Sequence, residues 1–232
     1  MRLLARLPYD TVLNTVYAGL KLNLHLIITA LPLLLALALG GRPLQAWPFF
    51  AGLSALCGPS AAAAFAAFRA FSEGEHRVGR VFWAAYRTSF GRAMGAATVA
   101  AALVIVLGVD FQLALGSPFG AVTPLLALLI ALVVAATTAF LATGGRLRPS
   151  TLLAYAYLSL RYWHLSLANL AVLGTLVAAV VAKPAIGLFL LPAPALYIVW
   201  ANARHIGGRH EHRVPGVREG IPAQVVSDSA HR

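Results

Sequence analysis

Residues 122–142 read VTPLLALLIALVVAATTAFLA, twenty-one positions without an Asp, Glu, Lys or Arg. As an α-helix this run is about 31 Å long at ~1.5 Å per residue, the thickness of a bilayer's hydrocarbon core. Five more stretches of similar character flank it, at about 22–39, 47–68, 93–109, 165–182 and 184–203, and none carries a charged residue in its interior. A β-barrel would instead show short alternating segments, and lipid leaves a backbone no third way to satisfy its polar groups. The reading is an all-α polytopic membrane protein with six transmembrane helices over 1–203, followed by a solvated, disordered basic tail at 204–232.

Composition agrees. Apolar residues make up 60% of the 232 and charged residues 11%, against roughly 45–50% and about 25% in soluble chains. A water-soluble domain of this size could not bury that much apolar surface. The first run could be taken for a signal peptide, but about twenty residues precede it and five spans follow, so a retained helix is expected. Residues 3–20, with Pro8 as a break, fit a short interfacial helix feeding the first span.

The formal net charge is +11. Sixteen of the eighteen basic residues fall in the segments on one side of the six spans, and only Arg42 and Lys183 on the other. The positive-inside rule then places both termini in the cytoplasm. This is a cytoplasmic rim suited to the anionic inner leaflet, not a compact basic domain for nucleic acid.

Reactive groups are scarce. The spans hold no carboxylate, since Asp110 stands at an outer edge and Asp10 before the first span. Walker-type, zinc-protease and nucleophile-elbow motifs are missing. Cys57 is a lone thiol in an Ala-rich run and reads as a packing residue. His205, His210 and His212 lie in the tail without other ligands, which suits a solvated segment better than a metal site. No catalysis, cofactor or metal is expected.

Polarity inside the spans gathers near their cytoplasmic ends. Asn23 and His25 open the first, and His164, Ser166 and Asn169 open the fifth, beside Trp163 as an interface anchor. They are candidates for a shared polar pocket; interhelical hydrogen bonding is the competing use. In the second span, Ser54, Gly58, Ala62, Ala66 and Ala70 recur every four residues, with Ala51, Ala55, Ala63 and Ala67 alongside. Such stripes let neighbouring backbones approach closely. Pro59 should kink this helix and free a carbonyl one turn earlier. Gly91 and Gly95 suggest a second close contact; Pro32, Pro192 and Pro194 mark further kinks.

The cytoplasmic stretch 75–92 is amphipathic. Val78, Val81, Phe82, Ala85, Tyr86 and Phe90 share one side, while Arg77, Arg80 and Arg87 share the other. Residues 152–163 repeat the design. Both read as interfacial helices lying on anionic lipid. The crowding of Phe82, Trp83, Tyr86, Arg87 and Phe90 goes beyond lipid anchoring and makes them candidates for docking a partner.

Three of these motifs together resemble the YesL-like family of bacterial membrane proteins, a family of unknown function. They are Leu22-Asn23-Leu24, Gly58-Pro59-Ser60-Ala61-Ala62, and Phe82-Trp83 followed by Tyr86-Arg87 and Phe90. The turn Ser72-Glu73-Gly74-Glu75 lacks the family's Arg, and His25 replaces a more usual aromatic residue. The resemblance implies a multi-span plasma-membrane protein encoded beside carbohydrate uptake and breakdown genes, with no assigned activity. The expected function is a non-catalytic accessory or assembly factor, its partners membrane components of a carbohydrate importer; the alternative is a small-solute transporter or channel.

Overall fold

A computed structural model describes residues 9–39, 45–144, 149–182, 187 and 189–211. Eight α-helices occur among them: α1 Tyr9–Leu39, α2 Trp47–Ser54, α3 Cys57–Ser72, α4 Val78–Ala114, α5 Thr123–Thr143, α6 Pro149–Arg161, α7 Trp163–Ala182 and α8 Pro192–Glu211. The described residues contain no strand. Pro8, Arg42, Arg146, Arg148, Lys183, His212 and the tail from 212 lie outside them.

Helix α3 is the centre, touching α1, α4, α5 and α8. Its small residues make that possible. Ala63 and Ala64 are completely buried, and a Cβ on Gly58 would stand 2.5 Å from the Ala97 Cβ and 3.0 Å from the Ala93 carbonyl oxygen. The α3–α4 pair is thus an antiparallel hairpin closed by the small-residue stripe. Gly91 takes no part: nothing lies within 4 Å of where its Cβ would be. Two further close approaches on α4 are Gly108, against the Trp47 ring, and Gly79, against the His25 ring of α1.

Around this hairpin the core is Phe65, Phe82, Phe140, Leu22, Val199 and Trp200. Large apolar residues also line the outside, such as Leu20 and Leu31 on α1, Leu103 and Val106 on α4, and Leu125 and Leu128 on α5. Small residues within and leucine without would aggregate in water. In lipid, as apolar as leucine itself, the arrangement costs nothing.

Four helical segments are long and apolar enough to cross a membrane: Leu13–Leu39, Val78–Ala114, Gly120–Thr143 and Trp163–Ala182. The α2–α3 pair makes a fifth if its 41° bend lies within one span. The expected sixth, 184–203, is not among them, but its residues 184–186 and 188 lie outside the described residues. Helix α8 starts only at Pro192, and beyond Ala203 it runs through Arg204, Arg209 and Glu211 into the stretch read as tail.

Three local expectations are corrected. The N-terminal interfacial helix is no separate element, because α1 is unbroken from Tyr9 through Pro32 to Leu39. The stretch 78–92 is likewise the beginning of α4, continuous with the third span; packing along α3 holds the 37 residues as one rod. That rod is about 55 Å long, against ~30 Å of hydrocarbon, so part of it has to lie outside, and Arg80, Arg87 and Arg92 mark which part. Finally, Pro192 and Pro194 kink nothing: they occupy the first turn of α8, where a missing N–H costs no bond.

Pro59 behaves as its chemistry requires. The chain breaks at Ala55 and Leu56, one turn earlier, in a run of bonds that reach three residues back and not four: Ala55 N–H to the carbonyl of Gly52, Leu56 to Leu53 and Gly58 to Ala55. The Ala55 carbonyl, which a residue with an N–H at 59 would have claimed, is taken by Gly58 instead.

Candidate functional site

The most built-up polar junction joins the first helix to the last. Asn23 sits on a buried stripe of α1, with Leu22 and Leu26, and is 4% exposed. Its Nδ2 donates to the Phe189 carbonyl at 2.8 Å, and its Oδ1 accepts from the Ala193 N–H at 2.7 Å. Ala193 is the second residue of α8, whose first N–H groups have no partner within the helix. Asn23 therefore caps α8 from another helix, and does so where water is excluded.

Beside this cap runs a groove of about 780 Å³ between α1 and α8. Val16 and Leu20 form one wall, Tyr197 and Ile198 the other, and Phe68 and Phe71 of α3 the floor. Behind them, Phe68 meets Tyr197 edge-on at 5.4 Å, and Trp200 backs both rings.

Two residues later in the sequence, His25 turns the other way. Its Nδ1 lies 2.5 Å from the Lys21 carbonyl; a carbonyl can only accept, so Nδ1 carries the proton. The ring packs on Phe82 at 5.3 Å and Trp83 at 5.9 Å. Trp83–Tyr86 and Tyr86–Phe90 contacts at 5.6 and 5.5 Å continue the ladder along α4.

The ladder alters the docking set. Phe82 is completely buried, and Trp83 and Tyr86 are packed against the core; Phe82 and Trp83 hold α4 to α1 through His25. Only Arg87 and Phe90 remain exposed.

The four polar candidates do not share a pocket. Asn169 pairs with Asn202, whose Nδ2 donates to the Asn169 Oδ1 at 2.8 Å. That contact is nine residues along α8 from the Asn23 cap, roughly 13 Å at ~1.5 Å per residue. Ser166 donates to the Ser159 carbonyl at 2.9 Å and ties α7 to α6. His164 is exposed beside Trp163.

Sequence reasoning missed Asn202, although an amide at the end of an apolar run was a signal. It also missed a clamp on the end of α5, for which charge alone gave no pointer. Arg69 donates to the Ala142 carbonyl at 3.0 Å, and Arg92 to that of Gly144 while lying over the Phe140 ring. Two cations meet the negative end of a helix dipole, with Gly144 at φ 75° as its left-handed cap.

Residues 45–111, which comprise α2, α3 and most of α4, match the family model described as "Protein of unknown function, DUF624". The match takes in both the Gly58–Ala62 motif and the aromatic run from Phe82 to Phe90, over less than a third of the chain. No curated protein and no solved structure matches the chain.

Proposed function

We propose that this chain is a YesL-like protein of the plasma membrane, with six crossings and both termini cytoplasmic, that works as a non-catalytic accessory or assembly factor. The topology rests on the sixteen-to-two division of basic residues, with 184–203 as the sixth crossing. Reporter fusions after Arg42 and Asp110 should read outside, and fusions after Arg80 and in the tail inside. A reversal at any one of the four sites refutes it.

The observation that carries the accessory reading is how four of the buried or half-buried amides and hydroxyls are used. Asn23, Ser166, Asn169 and Asn202 are engaged with other helices or with the chain between them. They work as stitches between elements. A binding partner then has to be met on the outer surface, where Arg87 and Phe90 stand exposed on the arginine-bearing part of α4. A membrane component of a carbohydrate importer is the proposed partner, on the strength of the YesL-like motifs. Alanine at Arg87 and Phe90 together should remove the partner from pull-downs of tagged protein, with membrane level and melting temperature unchanged. Equal recovery by variant and parent would count against docking there.

One observation favours a small-solute transporter instead. Broken helices line transporter sites, and just past the α2–α3 break the Ser60 Oγ is buried with no hydrogen-bond partner among the described residues. Solute flux in proteoliposomes that Ser60→Ala abolishes would decide for transport.

A further inference from the structure

The apolar exterior of α1 ends on a cation. Leu24, Ile28, Leu31 and Leu35 are exposed at intervals of three and four residues, and exposed Lys21 takes the next position toward the N-terminus. Residues so spaced form a line on one helix face. In a bilayer acyl chains cover such a line. Lys21 stands at its foot, where a long stem can follow apolar surface while the ammonium stays among polar groups.

Helix α4 brings more charge to the same foot. A Cβ on Gly79 would stand 3.3 Å from the Lys21 Cε and 3.1 Å from the His25 Nε2, so the missing side chain lets both reach the first turn of α4. Arg77 is the N-cap of that turn and Arg80 follows Gly79; both are exposed, and the turn holds no acidic residue. Three cations therefore gather at the positive end of a 37-residue helix, where the dipole disfavours each of them. Little on the protein offsets this. Glu73 and Glu75 are exposed on the preceding turn, but Glu75 accepts from the Arg77 backbone N–H at 2.8 Å. Among the described residues no carboxylate pairs with Lys21, Arg77 or Arg80, and the Lys21 Nζ lies instead 5.8 Å over the exposed Tyr17 ring.

We propose that Lys21 and Arg80 hold the phosphate of an anionic phospholipid of the surrounding bilayer, whose acyl chains lie along Leu24, Ile28 and Leu31. Such a lipid answers both observations at once, the uncompensated cations and the apolar line that rises from them. A zwitterionic lipid would bring a second cation to a place that already has three. The seat uses neither Arg87 nor Phe90 and stands apart from the docking proposed there.

The test places the full chain in nanodiscs of phosphatidylcholine and phosphatidylglycerol, one or the other tritiated. Leu24 is replaced by photoreactive benzoylphenylalanine, and in a separate control so is Leu128, which is exposed on α5. Phosphatidylglycerol should label the Leu24 position in excess of its share of the bilayer, and the Leu128 position in proportion to it. Lys21→Gln and Arg80→Gln should each cut the excess about fivefold, the share of one basic residue at an anionic surface. Lys21→Arg should keep it, and labelling at Leu128 should stay constant throughout as the check on folding. No excess at Leu24 in the parent would overturn the proposal. An equal excess at Leu128 would do the same, since the attraction would then be general to the surface. So would an excess that survives Lys21→Gln and Arg80→Gln together, or one that added inorganic phosphate abolishes, which would make a free anion the occupant.

Discussion

Gly58→Ala destabilises the bundle by about 1–3 kcal/mol, the usual cost of forcing extra carbon into a packed core. The added Cβ would stand 2.5 Å from that of Ala97 and 3.0 Å from the Ala93 carbonyl oxygen. Neither contact is the far end of a flexible side chain, so relief requires the α3 and α4 backbones to part. α3 touches four other helices, and the strain spreads to α1, α5 and α8. Ala97→Gly removes the nearer obstacle and should restore part of the loss, although on its own it costs about 1 kcal/mol as a glycine in mid-helix. Thermal unfolding of the four proteins in detergent gives the coupling. A Gly58→Ala protein as stable as its parent would show that the hairpin is not closed by this contact.

Asn23→Leu comes next in size. It removes both bonds at the α1–α8 junction and leaves the Ala193 N–H without an acceptor, at about 1–3 kcal/mol for each buried group left unpaired. The loss should be local before it is global. Amide exchange around 189–196 should rise well above that of α3 and α4, and the melting temperature should fall. Asn23→Asp keeps an acceptor for Ala193 but loses the donor to Phe189, so it separates the two bonds. If Asn23→Leu left exchange at 189–196 unchanged, the cap would be refuted.

Much of this was legible in the chain itself. The stripe from Gly58 to Ala67 identified α3 as the helix others approach, because small residues at a four-residue repeat have no better use between helices. Pro59 located the α2–α3 break to within a turn, since a residue without an N–H orphans a definite carbonyl. The Asn169 amide was rightly suspected of bonding between helices, without its partner.

The aromatic run 82–90 shows where such reading fails. Its amphipathic pattern correctly separates an apolar from a basic side, but periodicity measures only polarity. In a membrane protein both lipid and protein interior are apolar, so the pattern could not tell that Phe82 faces His25 and the core while Phe90 stays at the surface. Nor could local sequence show that 78–92 is one rod with the third span; that follows from α3 lying alongside.

The sequence by itself therefore determined the helical class, the apolar runs, the packing helix and its break. Each follows from composition or from spacing within a few turns, where cause and effect are neighbours in the chain. Only the tertiary structure decided which polar groups meet: Asn23 with partners 166 and 170 residues away, and Asn169 with Asn202, in two places and not one. A buried amide must find a partner, but the requirement does not name it. The packing of helices distant in sequence makes that choice.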